Sequence, residues 1–186
     1  MTHGLVAAAR TIGVSIPIPE PYGGELQSWR ETFGDPLARF IPTHVTLLGP
    51  TVVDSEDLPG IEEHLRAVAE VEDPFEIHLR GTASFRPLSP VVFVALAEGI
   101  GNCERVEAAV RRGPLGGQDR AFGYHPHVTV AHDLPNPALD HAFEKLAGYE
   151  AHFAVWGFTL YEHGIDGIWR PQRDYTFGGA VPNAPD

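Results

Sequence analysis

Two copies of one tetrapeptide pattern carry the residues best suited to chemistry. His44-Val45-Thr46-Leu47 lies in the first third of the chain, and His127-Val128-Thr129-Val130 in the last third. In a strand, successive side chains point to opposite faces, so a His and a Thr two residues apart share one face. The hydrophobic residues beside them then point into a core. Each copy offers an imidazole and a hydroxyl on one surface. Two such strands facing each other make a cleft with a histidine on each wall. A cleft of that kind suits general acid/base chemistry on a phosphate. Two patterned copies would arise by chance on the order of 0.5% of the time, so the pair is specific where one copy would be weak.

The elements around the motifs repeat as well. Val6 to Ile18 reads as a strand, and Glu25 to Phe33 as a helix with Leu26, Trp29 and Phe33 on one face. His44 to Leu48 is a strand that Gly49-Pro50 stops. Pro59 to Val71 is a helix with Ile61, Leu65 and Val68 as its stripe. Phe75 to Phe85 and Val91 to Leu96 are strands joined by a turn. Asn102 is positioned to cap a helix using Val106, Ala109 and Val110. The run from Gly113 to Gly117 opens a loop that reaches Arg120. After the second motif strand, His127 to Ala131, Asn136-Pro137 starts a helix with Leu139, Phe143 and Leu146. Ala151 to Tyr161 and Ile168 to Phe177 are the closing strands. Strand, helix, motif strand, helix, strand thus occurs twice. The expected fold is α+β, a bilobal pseudo-two-fold duplication of antiparallel sheets with helices outside and a central cleft. Residues 1–178 form one domain in this reading, and residues 179–186 a frayed tail.

Composition narrows the function classes. The 186 residues carry a formal charge of −12, which opposes binding of a long nucleic-acid duplex. A small phosphorylated ligand or an RNA end fits better. The 13 basic residues are all Arg except Lys145, and Arg suits bidentate phosphate contacts. No apolar run reaches the ~18–20 residues of a membrane span, so no membrane association is expected. Leu5 to Ala9 is too short for a secretory signal core. The single cysteine, Cys103, forms no intrachain disulfide. A cytoplasmic monomer is the expectation.

Other residues have competing readings. His125 shares the motif face of His127 if Pro126 leaves the strand regular, and otherwise lies on a rim. Arg120 and Tyr124 precede the second motif and could line its mouth. Trp169, Arg170, Arg173 and Tyr175 interleave charge with rings, a pattern that can stack a base and hold phosphate. His64, His78, His132, His141, His152 and His163 lack a duplicated context and read as core or surface. A metal protein using His125, His127 and His132 is one alternative. A binder of RNA ends or nucleotides without turnover is another.

Thr43 to Pro50 and Tyr124 to Ala131, with Pro126 before the second histidine and a late aromatic-rich strand, resemble the paired signatures of the two-histidine phosphoesterases. That superfamily includes 2′-5′ RNA ligase-like proteins and RNA 2′,3′-cyclic phosphodiesterases. The resemblance spans roughly Val6 to Phe177. It implies a bilobal fold, a reaction needing no metal or other cofactor, and a cyclic phosphodiester substrate. It also implies that His44 protonates the leaving oxygen and His127 activates water. Thr46 and Thr129 would hydrogen-bond the non-bridging phosphate oxygens. Within the superfamily, 2′-5′ RNA ligation is the alternative activity, although the acidic balance suits a tRNA-binding ligase poorly.

Overall fold

The computed structural model describes residues 8–117 and 122–179. Arg120 and residues 180–186 of the expected tail lie outside them. Among the described residues, eight strands form two antiparallel four-stranded sheets. β1 (Ala9–Pro17), β2 (His44–Asp54), β7 (Gly157–His163) and β8 (Trp169–Thr176) make one, in the order β2-β1-β7-β8. β3 (Phe75–Ser84), β4 (Val91–Glu98), β5 (His127–His132) and β6 (Glu150–Val155) make the other, in the order β5-β4-β3-β6. The two orders correspond position by position. Each sheet places a motif strand at one edge.

Among the described residues, four α-helices pack on these sheets: α1 (Tyr22–Phe33), α2 (Leu58–Val71), α3 (Ile100–Val110) and α4 (Asn136–Lys145). Their apolar stripes drive the packing. Leu26, Ile61, Leu65, Val106, Val110 and Leu139 are fully buried in the common core. The duplication shows again in the contacts. α1 leans on β5 and α3 leans on β2, so each motif strand is braced by a helix from the other half. None of the helices among the described residues is long and apolar enough to cross a membrane.

Three boundaries and one helix face differ from the sequence reading, each for a local reason. β2 does not stop at Gly49-Pro50 but runs to Asp54. Gly49 and Pro50 together oppose Gly13 in the register, making a bulge. Pro is tolerated there because an edge strand leaves N–H positions outside the ladder. The single strand expected over Ala151 to Tyr161 is two strands in different sheets. Trp156, 48% exposed, lies between β6 and β7 where the chain changes sheet. α3 starts after Gly99 in the left-handed conformation (φ 90°), so Asn102 lies inside its first turn and caps nothing. Phe143 is 37% exposed and Ala142 takes the buried place on α4.

Candidate active site

Each motif begins at the first residue of its edge strand. The expected alternation is present. Val45, Leu47, Val128 and Val130 are buried, whereas His44, Thr46, His127 and Thr129 are half-buried on the opposite face. The register slips immediately after each motif. Thr46 pairs with Ser15 and Leu48 with Val14, so Leu47 is skipped; Thr129 pairs with Phe93 and Ala131 with Val92, so Val130 is skipped. Bulges twist a strand and re-aim its side chains. Here the same device occurs at the same place in both halves.

The two imidazoles are held identically. His44 Nδ1 lies 2.7 Å from the carbonyl oxygen of Pro42, and His127 Nδ1 lies 2.7 Å from that of His125. A carbonyl only accepts, so Nδ1 carries the proton in each ring. Nε2 is then the nitrogen available for proton exchange. His44 Nε2 is 3.1 Å from Thr46 Oγ1. His127 sits edge-on against Phe85, with ring centroids 4.8 Å apart, and tilted against Phe93.

Burial in the cleft dominates the electrostatics of both histidines. Desolvation lowers His44 to about 4, with the charges of Arg30 and His127 pushing the same way and the Pro42 carbonyl opposing. Desolvation also lowers His127, and again the carbonyl contact opposes it. Each ring is therefore neutral near pH 7 in the unliganded cleft.

Two cavities flank the motifs and share Thr46 and Gly49 as a wall. One, of about 230 Å³, holds His44, Thr129 and His132, with Trp169 and Tyr161 as aromatic lining. The other, of about 470 Å³, holds His127, His125, Phe85 and Tyr124. The Tyr124 hydroxyl donates to the Thr46 carbonyl (2.9 Å), joining the segment before β5 to the opposite motif strand. The four motif residues thus line two adjoining cavities, with Thr46 common to both.

The remaining candidates divide. His125 is exposed on the rim. Tyr124 lines the cavity that holds His127. Of the late group only Trp169 faces the cleft. Arg170 pairs with Asp166 and Arg173 with Glu62, and Tyr175 is buried in the core against Phe158. His125, His127 and His132 do not converge as a metal would require; among the described residues the ligand atoms that do belong to His78, Glu150 and His152. Sequence reasoning missed Arg30 and His132 as cleft residues. Arg30 is 2% exposed, bonded through Nε to Asp35 (3.0 Å) and through Nη1 to the Ile41 carbonyl (3.0 Å). Its signal was an arginine four residues after buried Leu26 on an apolar stripe, with Asp35 five residues on.

Comparison with known proteins agrees with this architecture. The described fold superposes on Escherichia coli LigT solved with 3′-AMP, with a TM-score of 0.67 at 18% identity over 91% of this chain and 99% of that one. TT0787 of Thermus thermophilus gives 0.60 at 20% identity, covering 92% and 100%. A Geobacillus kaustophilus protein named "Putative phosphoesterase" is 27% identical over 169 residues, covering 90% of this chain and 96% of that protein. The 2′-5′ RNA ligase superfamily matches residues 18–167. The chain belongs to that superfamily, the two-histidine phosphoesterases.

Proposed function

We propose that this protein opens a 2′,3′-cyclic phosphate on a nucleotide or an RNA end, using His44 and His127 as a proton-transfer pair. The observation that carries the proposal is the duplicated anchoring. Two neutral imidazoles on neighbouring edge strands are each fixed through Nδ1 to the carbonyl two residues earlier, which leaves Nε2 of each as the nitrogen that exchanges a proton. Water attacks phosphorus as His127 Nε2 takes its proton. The bond from phosphorus to one ribose oxygen breaks as His44 Nε2 donates a proton to that oxygen. The product is a phosphomonoester with a free neighbouring hydroxyl, and the two imidazoles have exchanged protonation states. Each role contributes about 10²–10⁴-fold. Both proton transfers are supplied by side chains, so the chemistry calls for no metal.

His44 must be protonated to act as the acid, and burial opposes that in the free cleft. A bound phosphate anion reverses the balance, because an opposite charge a few Å away favours imidazolium. Thr46 and Thr129 are placed to hydrogen-bond the non-bridging oxygens and hold the anion there. The two aromatic-lined cavities give room for a base or sugar on either side of the phosphate. Nucleotide ligands in E. coli LigT, solved with 3′-AMP and with NADP+, support a ligand of that class here. The test is hydrolysis of nucleoside 2′,3′-cyclic phosphates with identification of the product isomer. Binding without turnover by the folded wild type would instead favour a nucleotide-binding role.

A further inference from the structure

One face of β3 and β6, outside the cleft, gathers two imidazoles and a carboxylate. β3 buries Ile77 and Leu79 towards the core, which turns His78 to the other side. β6 buries Ala151 and Phe153, which turns Glu150 and His152 to that same side, exposed. In the antiparallel register His78 pairs with His152, and Arg80 with Glu150. Glu150 is therefore diagonal to His78, within reach of a long side chain.

The side chains close this gap. His78 Nε2 lies 2.7 Å from a Glu150 carboxylate oxygen. The His78 and His152 rings stack with centroids 3.6 Å apart. One ligand atom from each of the three residues lies within 4.8 Å of the others. On the far side of His78, its register partner on β4 is Glu98, a further exposed carboxylate. None of these residues lines either cleft cavity.

Two imidazoles and a carboxylate are a zinc ligand set that leaves a fourth position for water. Zinc–nitrogen bonds of about 2.0–2.1 Å place tetrahedral ligand atoms about 3.3 Å apart. His152 and Glu150 are exposed and can rotate to that spacing while buried His78 stays in place. Neighbouring carboxylates, in a chain of formal charge −12, favour the cation.

We propose that His78, Glu150 and His152 form a binding site for a divalent transition-metal ion of the zinc class, clamping β6 to β3. β6 is an edge strand with β3 as its one neighbour in the sheet, and the chain leaves it through Trp156 for the other sheet. An ion bridging the two strands ties down that edge. An ion that binds the folded chain and not the unfolded one raises stability by mass action.

The test is calorimetric titration of chelator-stripped protein with zinc sulfate, with thermal unfolding across the same zinc concentrations. The expected result is one saturable site per chain and a Tm that climbs with zinc. His152→Ala and, separately, Glu150→Gln should each weaken binding by about tenfold or more and flatten the Tm response. Both positions are exposed, so these variants should fold, unlike a change at His78. His127→Ala should leave zinc binding unaltered. No saturable binding by folded wild type would overturn the proposal. So would a site that survives His152→Ala and disappears in His127→Ala, which would place the ion in the cleft.

Discussion

At His44, burial makes a prediction about protons. The free ring is held down to about 4 by desolvation first, then by Arg30 and His127. A phosphate anion in the cleft must pull it up, so phosphate and a proton should bind together. Calorimetry of inorganic phosphate binding near pH 6.5, in buffers of different ionisation enthalpy, should reveal proton uptake. Binding heats independent of the buffer would contradict this assignment. The same depression has a stability consequence. The unfolded chain takes up this proton near pH 6.5, whereas the folded chain holds out until about 4. The contribution is therefore complete above pH 6.5 and lost as pH falls towards 4, at about 1.4 kcal/mol per pH unit at most. In His44→Asn that part of the acid sensitivity should vanish from denaturation curves over the same range. Thr46→Ala or Thr129→Ala should slow turnover by less than either histidine change, by no more than about 10²-fold, since each removes one hydrogen bond to the developing charge.

Among the elements, the sheet crossing at Trp156 leaves little room for change. Gly157 opens β7 opposite Thr176, and a Cβ there would lie 2.0 Å from the Tyr175 carbonyl oxygen. Gly157→Ala should therefore destabilise by about 1–3 kcal/mol or more, read as a lowered denaturation midpoint. Wild-type stability in that variant would mean that β7 and β8 do not approach as closely as described. This crossing also marks where sequence reading stops. The stretch from Ala151 to Tyr161 keeps a strand-like composition throughout, and nothing in it says that two sheets share it. The Gly49-Pro50 bulge was hidden for a related reason. Those residues normally end a strand, and only the edge position with Gly13 opposite lets β2 continue. What periodicity records, it records well. The stripes of α1 and α2 and the alternation in both motifs stand as read, because burial on one face alone dictates them. The two motif histidines were legible because duplication singled them out. Arg30 and His132 were not, since no repeated context marks them and their place depends on how α1 and the end of β5 close over the cleft.

For the whole molecule, the pseudo-two-fold explains why the site lies between sheets rather than in either one. Each half supplies one motif edge strand, and the helix from the other half braces it. Tyr124 adds a polar tie between the halves through the Thr46 carbonyl. Tyr124→Phe should cost about 0.5–1.5 kcal/mol of stability and raise KM. The charge of −12 bears on partner size. If the ligand is a mononucleotide or an RNA end, log affinity against log salt should fall with a slope no steeper than about −2, matching one or two phosphates. A slope near −6 would indicate an extended nucleic-acid track.

The decisive assay for a two-histidine reaction is hydrolysis of a nucleoside 2′,3′-cyclic phosphate in excess EDTA by wild type, His44→Ala and His127→Ala. Proton transfer through both rings requires turnover by wild type and a loss of at least about 10²-fold in each folded variant. Turnover that survives both substitutions would contradict it.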